Sequence, residues 1–182
     1  MEMNKVLQNQ EKVKNAFEKY TESLKKVEER RNLWNSETKI KIIETLTLVE
    51  QTFKFGWHVH KIENMDNYQT VNIQCSNVHS GIIENDIDFA SGKITKRKVY
   101  RKEGGYLSYC QSYIGKIHVI IGIPFIEELV TPKNSHEVIA TIEPQDLTED
   151  IITSHVITFL EKLQEFESID ITQIGYKLPS QN

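Results

Sequence analysis

Apolar residues recur every seven positions at the start of the chain, at Val6, Val13, Tyr20, Val27 and Trp34, with Phe17, Leu24 and Arg31 interleaved. From Val13 onward the spacing alternates four and three, which winds a narrow stripe of period 3.5 along an α-helix. Gln10 and Arg31 interrupt it, and the positions between are mostly Lys, Glu, Gln and Asn, as on a solvated helix. Such a stripe has two uses. It packs on the protein's own sheet, or it forms a two-chain coiled coil or a helical arm that docks a partner. The second use would fall to Val13, Phe17, Tyr20, Leu24, Val27 and Trp34.

Asn35-Ser36-Glu37 breaks the frame and offers Ser36 as the N-cap of a second helix. Ile42, Leu46, Val49 and Phe53 then follow at 4-3-4 spacing, which predicts a helix over about 37–52. Ile40, Ile42, Leu46 and Leu48 also fit a period of two, so a strand is the alternative reading of that stretch.

From Phe53 the period is two. Phe53, Phe55, Trp57 and Val59 alternate with Lys54, Gly56, His58 and His60. Further strands are expected at Val71–Cys75, after Gly81 through Phe89, Lys93–Lys102, Tyr106–Tyr113, Ile117–Ile123 and Glu137–Ile142, separated by turn residues. Ile117–Ile123 is apolar on both faces, the pattern of a central, doubly covered strand. A three-residue loop Ala90-Ser91-Gly92 with a left-handed glycine would pair Asp86 with Lys96, Glu84 with Lys98 and Ile83 with Val99. A two-residue loop would set Ile87 against Lys96, so the matched register is preferred.

Ile152, Val156, Phe159, Leu160, Leu163 and Phe166 then make a wide stripe of period 3.6, with Asp146 and Glu149 as a candidate capping box. The tail after Ser168 keeps enough apolar residues to be expected to dock. The sum is an α+β chain: a heptad-patterned helix over 1–34, then a single domain over 35–182. That domain has an antiparallel meander of six or seven strands and a C-terminal helix packed upon it.

Composition narrows the function classes. The 182 residues carry no apolar run of membrane-spanning length, and Met1–Lys5 is too polar for a signal peptide. With only Cys75 and Cys110 there is no disulfide scaffold, so a cytoplasmic location is expected. The net charge of −4 is uneven: residues 136–182 hold 9 acidic and 2 basic groups, while the rest is weakly positive. Acid concentrated at one end makes nucleic acid an unlikely partner.

Candidate chemistry is sparse. His58 and His60, two apart on a strand, point to one side. With His118 they would make a three-histidine site for a divalent metal such as zinc; the plainer alternative is that both face water. Lys96, Arg97, Lys98, Arg101 and Lys102, near Tyr100 and Tyr106, could track a single-stranded nucleic acid, or could simply neutralise Glu84 and Asp86 across a hairpin. Glu84, Asp86 and Asp88 lack the loop spacing of a calcium site. No phosphate-binding glycine loop, nucleophile elbow or zinc-protease motif occurs. The expected function is therefore a non-catalytic interaction protein, adaptor- or chaperone-like, that self-associates or docks a protein partner through its N-terminal helix. The alternative is a small-ligand or metal-binding domain with a pocket between a curved sheet and the C-terminal helix.

Overall fold

The computed structural model describes residues 2–54, 56–75, 78–126, 129 and 135–168, with the side chains of 2–7, 78 and 79 left aside. The tail expected to dock lies outside the described residues. The architecture is α+β, as the patterning implies: a long N-terminal helix, eight antiparallel strands in two sheets, and a C-terminal helix. No described helix is long and apolar enough to cross a membrane.

Helix α1 (Glu2–Leu33) does not stop at Ser36. It passes through one wide turn, Trp34–Thr38, and continues as α2 (Lys39–Thr52). The Lys39 N–H donates to the Trp34 carbonyl five residues back, the signature of a π-turn. Its cause lies in the buried positions. Trp34, Thr38, Ile42 and Leu46 are all buried and spaced by four, whereas four residues of α-helix overshoot a full turn by about 40°. The wide turn takes up that excess, so all four face the sheet. The Thr38 hydroxyl donates to the Pro144 carbonyl at 3.3 Å inside the core, and Ser36 stays exposed with no capping role.

The larger sheet has the order β1-β2-β5-β6-β8, from β1 (Trp57–Ile62), β2 (Thr70–Cys75), β5 (Tyr106–Gln111), β6 (Ile117–Gly122) and β8 (His136–Ile142). One face is apolar and covered. Trp57, Val71, Ile73, Leu107, Tyr109, Ile117, Val119 and Ile121 are buried on it beneath Ile42 and Leu46 of α2 and Ile152, Val156 and Phe159 of α3 (Glu149–Ser168). The other face carries His58, His60, Asn72, Gln74, Ser108, Cys110, His118 and Thr141. On the second face of strand β6, His118 and Ile120 are half-buried. The first strand begins at Trp57 rather than Phe53, which stays exposed. Helix α3 is capped by Thr148, whose hydroxyl accepts the Ile151 N–H at 3.3 Å. Asp146 lies in a short 3₁₀ turn behind Pro144, so the cap sits two residues later at Thr148, and with Ile151 three residues on the expected capping box does not form.

The meander is broken by an excursion. Strands β3 (Val78–Asp88) and β4 (Lys93–Glu103) leave the main sheet after β2 as a long two-stranded ribbon, with β7 (Phe125–Ile126) pairing at its base. Cys75 N–H donating to the Gly105 carbonyl at 2.9 Å closes the main sheet behind it. The expected pairs Asp86–Lys96, Glu84–Lys98 and Ile83–Val99 all form. The tip differs: the loop is Phe89–Gly92, four residues, and a bulge between Ile94 and Lys96 restores the register. Asp88 explains the longer loop, because its carboxylate accepts both the Ala90 N–H and the Ser91 hydroxyl. Those bonds hold its carboxyl below the usual aspartate range, the Ser91 hydroxyl contributing most.

Candidate functional site

The N-terminal stripe has two fates along one helix. Val13, Phe17, Tyr20 and Leu24 are 69%, 67%, 60% and 51% exposed, Val27 is half-buried, and Trp34 is fully buried. The first four therefore lie on an arm, residues 8–26, that projects from the body. Large side chains exposed this far at consecutive heptad positions form one continuous apolar strip, not scattered surface residues. The flanks of the strip are narrow, since Ala16, Thr21 and Ser23 stand beside it. The Thr21 and Ser23 hydroxyls fold back onto the carbonyls of Phe17 and Tyr20, which leaves the strip free of protruding polar groups.

The arm is held where it meets the body. The Arg30 guanidinium makes a two-pronged contact with Glu143, Nη2 to Oε1 at 2.8 Å, and Lys116 reaches the same carboxylate at 3.1 Å. Such forked pairs fix geometry as well as charge. They hold the Glu143 carboxyl below its ordinary range, the Arg30 hydrogen bond being the main cause. Arg31 donates to the Tyr113 carbonyl at 2.7 Å. Between them the β5–β6 turn slides under the helix at Gly115, where φ is +79° and a Cβ would stand 2.7 Å from the Arg30 Cβ. A side chain there would have to adopt a left-handed backbone and displace the helix. Leu24, Val27 and Arg31 then line a cleft with Tyr113 and Ile114 of that turn.

These anchoring residues are absent from the sequence-level candidate set. Their one signal is Arg31, which breaks the apolar stripe at the point where the helix docks. Of the six stripe residues expected to meet a partner, the arm presents Val13, Phe17, Tyr20 and Leu24 together. Val27 forms the corner, and Trp34 belongs to the core, its indole N–H donating to Gln69 at 3.1 Å.

The histidines are not gathered. His58 and His60 lie side by side on β1, exposed, with ring centres 6.3 Å apart, and His58 Nδ1 lies 3.2 Å from Glu50. Strands β2 and β5 stand between them and His118 on β6, roughly 14 Å at sheet spacing. His118 is hydrogen-bonded to Thr141 at 2.9 Å. Among the described residues no cluster of three metal-ligating side chains occurs. Beneath α3, where a pocket was the alternative expectation, Trp57 and Phe159 are in ring contact at 5.8 Å. The buried Tyr109 hydroxyl bonds His155 Nδ1 at 3.2 Å.

The basic residues divide between the two faces of the ribbon. Lys96 and Lys98 share one face with Asp86 and Glu84, and Lys98 sits over the Tyr100 ring at 4.7 Å. The Tyr100 hydroxyl donates to Glu84 at 2.7 Å. Arg97 and Arg101 lie on the other face, in line with Ile83 and Val99. Lys102 is at the base, paired with Glu167 and close to the Phe166 ring. No protein-family model, curated protein or solved structure matches this chain, so the functional reading rests on these residues.

Proposed function

We propose that this protein is a non-catalytic interaction protein that associates through the arm of its N-terminal helix. The observation that carries this reading is the exposure of Val13, Phe17, Tyr20 and Leu24 on a helix whose continuation packs as core. A helix this polar, standing clear of the body, gains most of its stability only when its apolar face is covered. Covering that face by association removes four large apolar side chains from water, each worth about 1.5–3 kcal/mol when fully buried. The rigid junction at Arg30, Glu143 and Gly115 presents the arm in one direction, which lowers the ordering cost of association.

Sedimentation equilibrium of the full chain beside the Phe17→Asp/Leu24→Asp variant tests the reading. The wild type is expected to associate at micromolar concentration and the variant to remain monomeric, with unchanged folding of the body. An equally monomeric wild type, or association unaffected by the two aspartates, would remove the arm's role.

A further inference from the structure

We infer that one face of the β3–β4 ribbon docks on an anionic lipid surface, lying flat in the headgroup layer without crossing the membrane. The inference is independent of the arm.

The ribbon sorts its side chains by face. On one face each of three carboxylates stands directly across from a lysine: Glu84 from Lys98, Asp86 from Lys96 and Asp88 from Lys93. Charge matched in this way suits a face turned to water. The other face carries the pairs Ile83–Val99, Asn85–Arg97 and Ile87–Ile94, and Arg101 lies beyond Val99 on the same side. Its described side chains include four aliphatic groups and two arginines but no carboxylate. All six are exposed. Neither arginine is paired with a carboxylate among the described residues. At the tip Phe89 is 98% exposed and prolongs the apolar strip past Ile87.

Two strands without a third are marginal in water until a face is covered. The body gives cover only at the base, where β7 pairs with Lys102 and Glu103. Charge and shape select what covers the rest. A second copy stacked face to face would set arginine against arginine. A nucleic acid binds through the number of phosphates neutralised; here it would meet two arginines and leave four aliphatic side chains without apolar cover. An anionic lipid surface supplies both complements. The pairs Ile83–Val99 and Ile87–Ile94 lie about 14 Å apart along the ribbon, with Arg97 between them. The aliphatic side chains enter the apolar boundary of the headgroup layer. The arginine stems lie along the same strip while their guanidinium groups reach lipid phosphates. Glu84, Asp86 and Asp88 stay on the side away from the anionic surface.

Vesicle flotation of the full chain tests this, with phosphatidylcholine alone and with phosphatidylcholine mixed with phosphatidylserine. The chain is expected to float with the mixed vesicles, to stay behind with phosphatidylcholine alone, and to bind less as salt is added. Arg97→Gln/Arg101→Gln should lower the affinity about 20–30-fold, about fivefold for each charge near an anionic surface. Phe89→Ser changes a side chain that is exposed in the free protein, so it leaves folding intact and should weaken binding several-fold. Glu84→Gln/Asp86→Asn, on the opposite face, should not weaken it. Thermal melts without lipid confirm that each variant is folded. A wild-type chain that floats with neither vesicle overturns the inference, and so does flotation that survives both the arginine and the Phe89 changes. Salt-sensitive binding of a labelled oligonucleotide by a chain that ignores the vesicles would assign the face to nucleic acid instead. Phe17→Asp/Leu24→Asp should still float. Flotation lost in that variant and kept in the ribbon variants would move the lipid contact to the arm and overturn the inference.

Discussion

Residues 8–26 and residues 27–52 form one continuous helical rod, and the same spacing of apolar residues runs through their junction, yet one half is surface and the other is core. In the second half Trp34, Ile42 and Leu46 are sealed against the sheet. In the first half, side chains of similar size and spacing face solvent. The difference lies in what stands opposite. The β5–β6 turn reaches the helix at Gly115 and the Glu143 carboxylate reaches Arg30, and beyond that point the described residues offer no further strand. A stripe records that a helix face is to be covered; whether the cover belongs to the same chain is settled by residues far away in sequence.

Breaking each half should therefore give opposite readouts. The largest effect is expected from Trp34→Ala, which opens a cavity in the core and should cost about 3–5 kcal/mol in chemical denaturation. Phe17→Ala, measured on dilute monomer, should change stability by less than about 0.5 kcal/mol. A large loss with Phe17→Ala would place the arm in the core.

The junction comes next. Gly115→Val forces a β-branched residue to φ +79° and against Arg30. It should cost about 1–3 kcal/mol for the backbone alone and loosen the arm, read as faster hydrogen exchange across Val27–Arg31. Glu143→Gln is milder, of order 1 kcal/mol, since its partners are partly exposed. Its pH signature is the sharper test. The native Glu143 carboxyl lies below its ordinary value, so the stabilisation is complete above the unfolded carboxylate range. It is lost as the pH falls through the lowered native value. The Gln variant should lack that acid-side component, and an unchanged acid profile would show the Arg30 contact to be idle.

The smallest effect concerns the body alone. Burial holds the His155 imidazole below its ordinary value and the Tyr109 hydroxyl well above its own, so a neutral Tyr109 hydroxyl and a neutral His155 share the hydrogen bond. Its contribution is present above the unfolded histidine value and lost as the pH falls through the lowered native one. His155→Gln should flatten that part of the stability profile and leave association untouched. A change in association would mean that the arm and the body are coupled through α3.

Much of this architecture is legible in the sequence because local period and distant packing agree there. The α3 stripe, the alternating strands, and the Glu84–Lys98 and Asp86–Lys96 pairs are examples. The misplacements arise where a distant partner overrides a local signal. Ser36 is a good capping residue, but Trp34 and Thr38 on either side of it must both be buried, and the helix widens rather than ends. Asp146 fits a capping box, yet Pro144 commits it to a 3₁₀ turn and Thr148 takes the role. The His58, His60 and His118 grouping requires β1 and β6 to be neighbours, and β2 and β5 stand between them. The stripe itself was legible, while its anchor was not, because Gly115 and Glu143 each lie more than eighty residues from Arg30 in the sequence.

The most direct test of the divided helix is hydrogen exchange measured as a function of protein concentration. Amides of residues 8–26 should gain protection as concentration rises through the association range, while those of 34–52 should stay constant, protected by the body at every dilution. Protection of 8–26 that is independent of concentration would contradict an arm awaiting a partner.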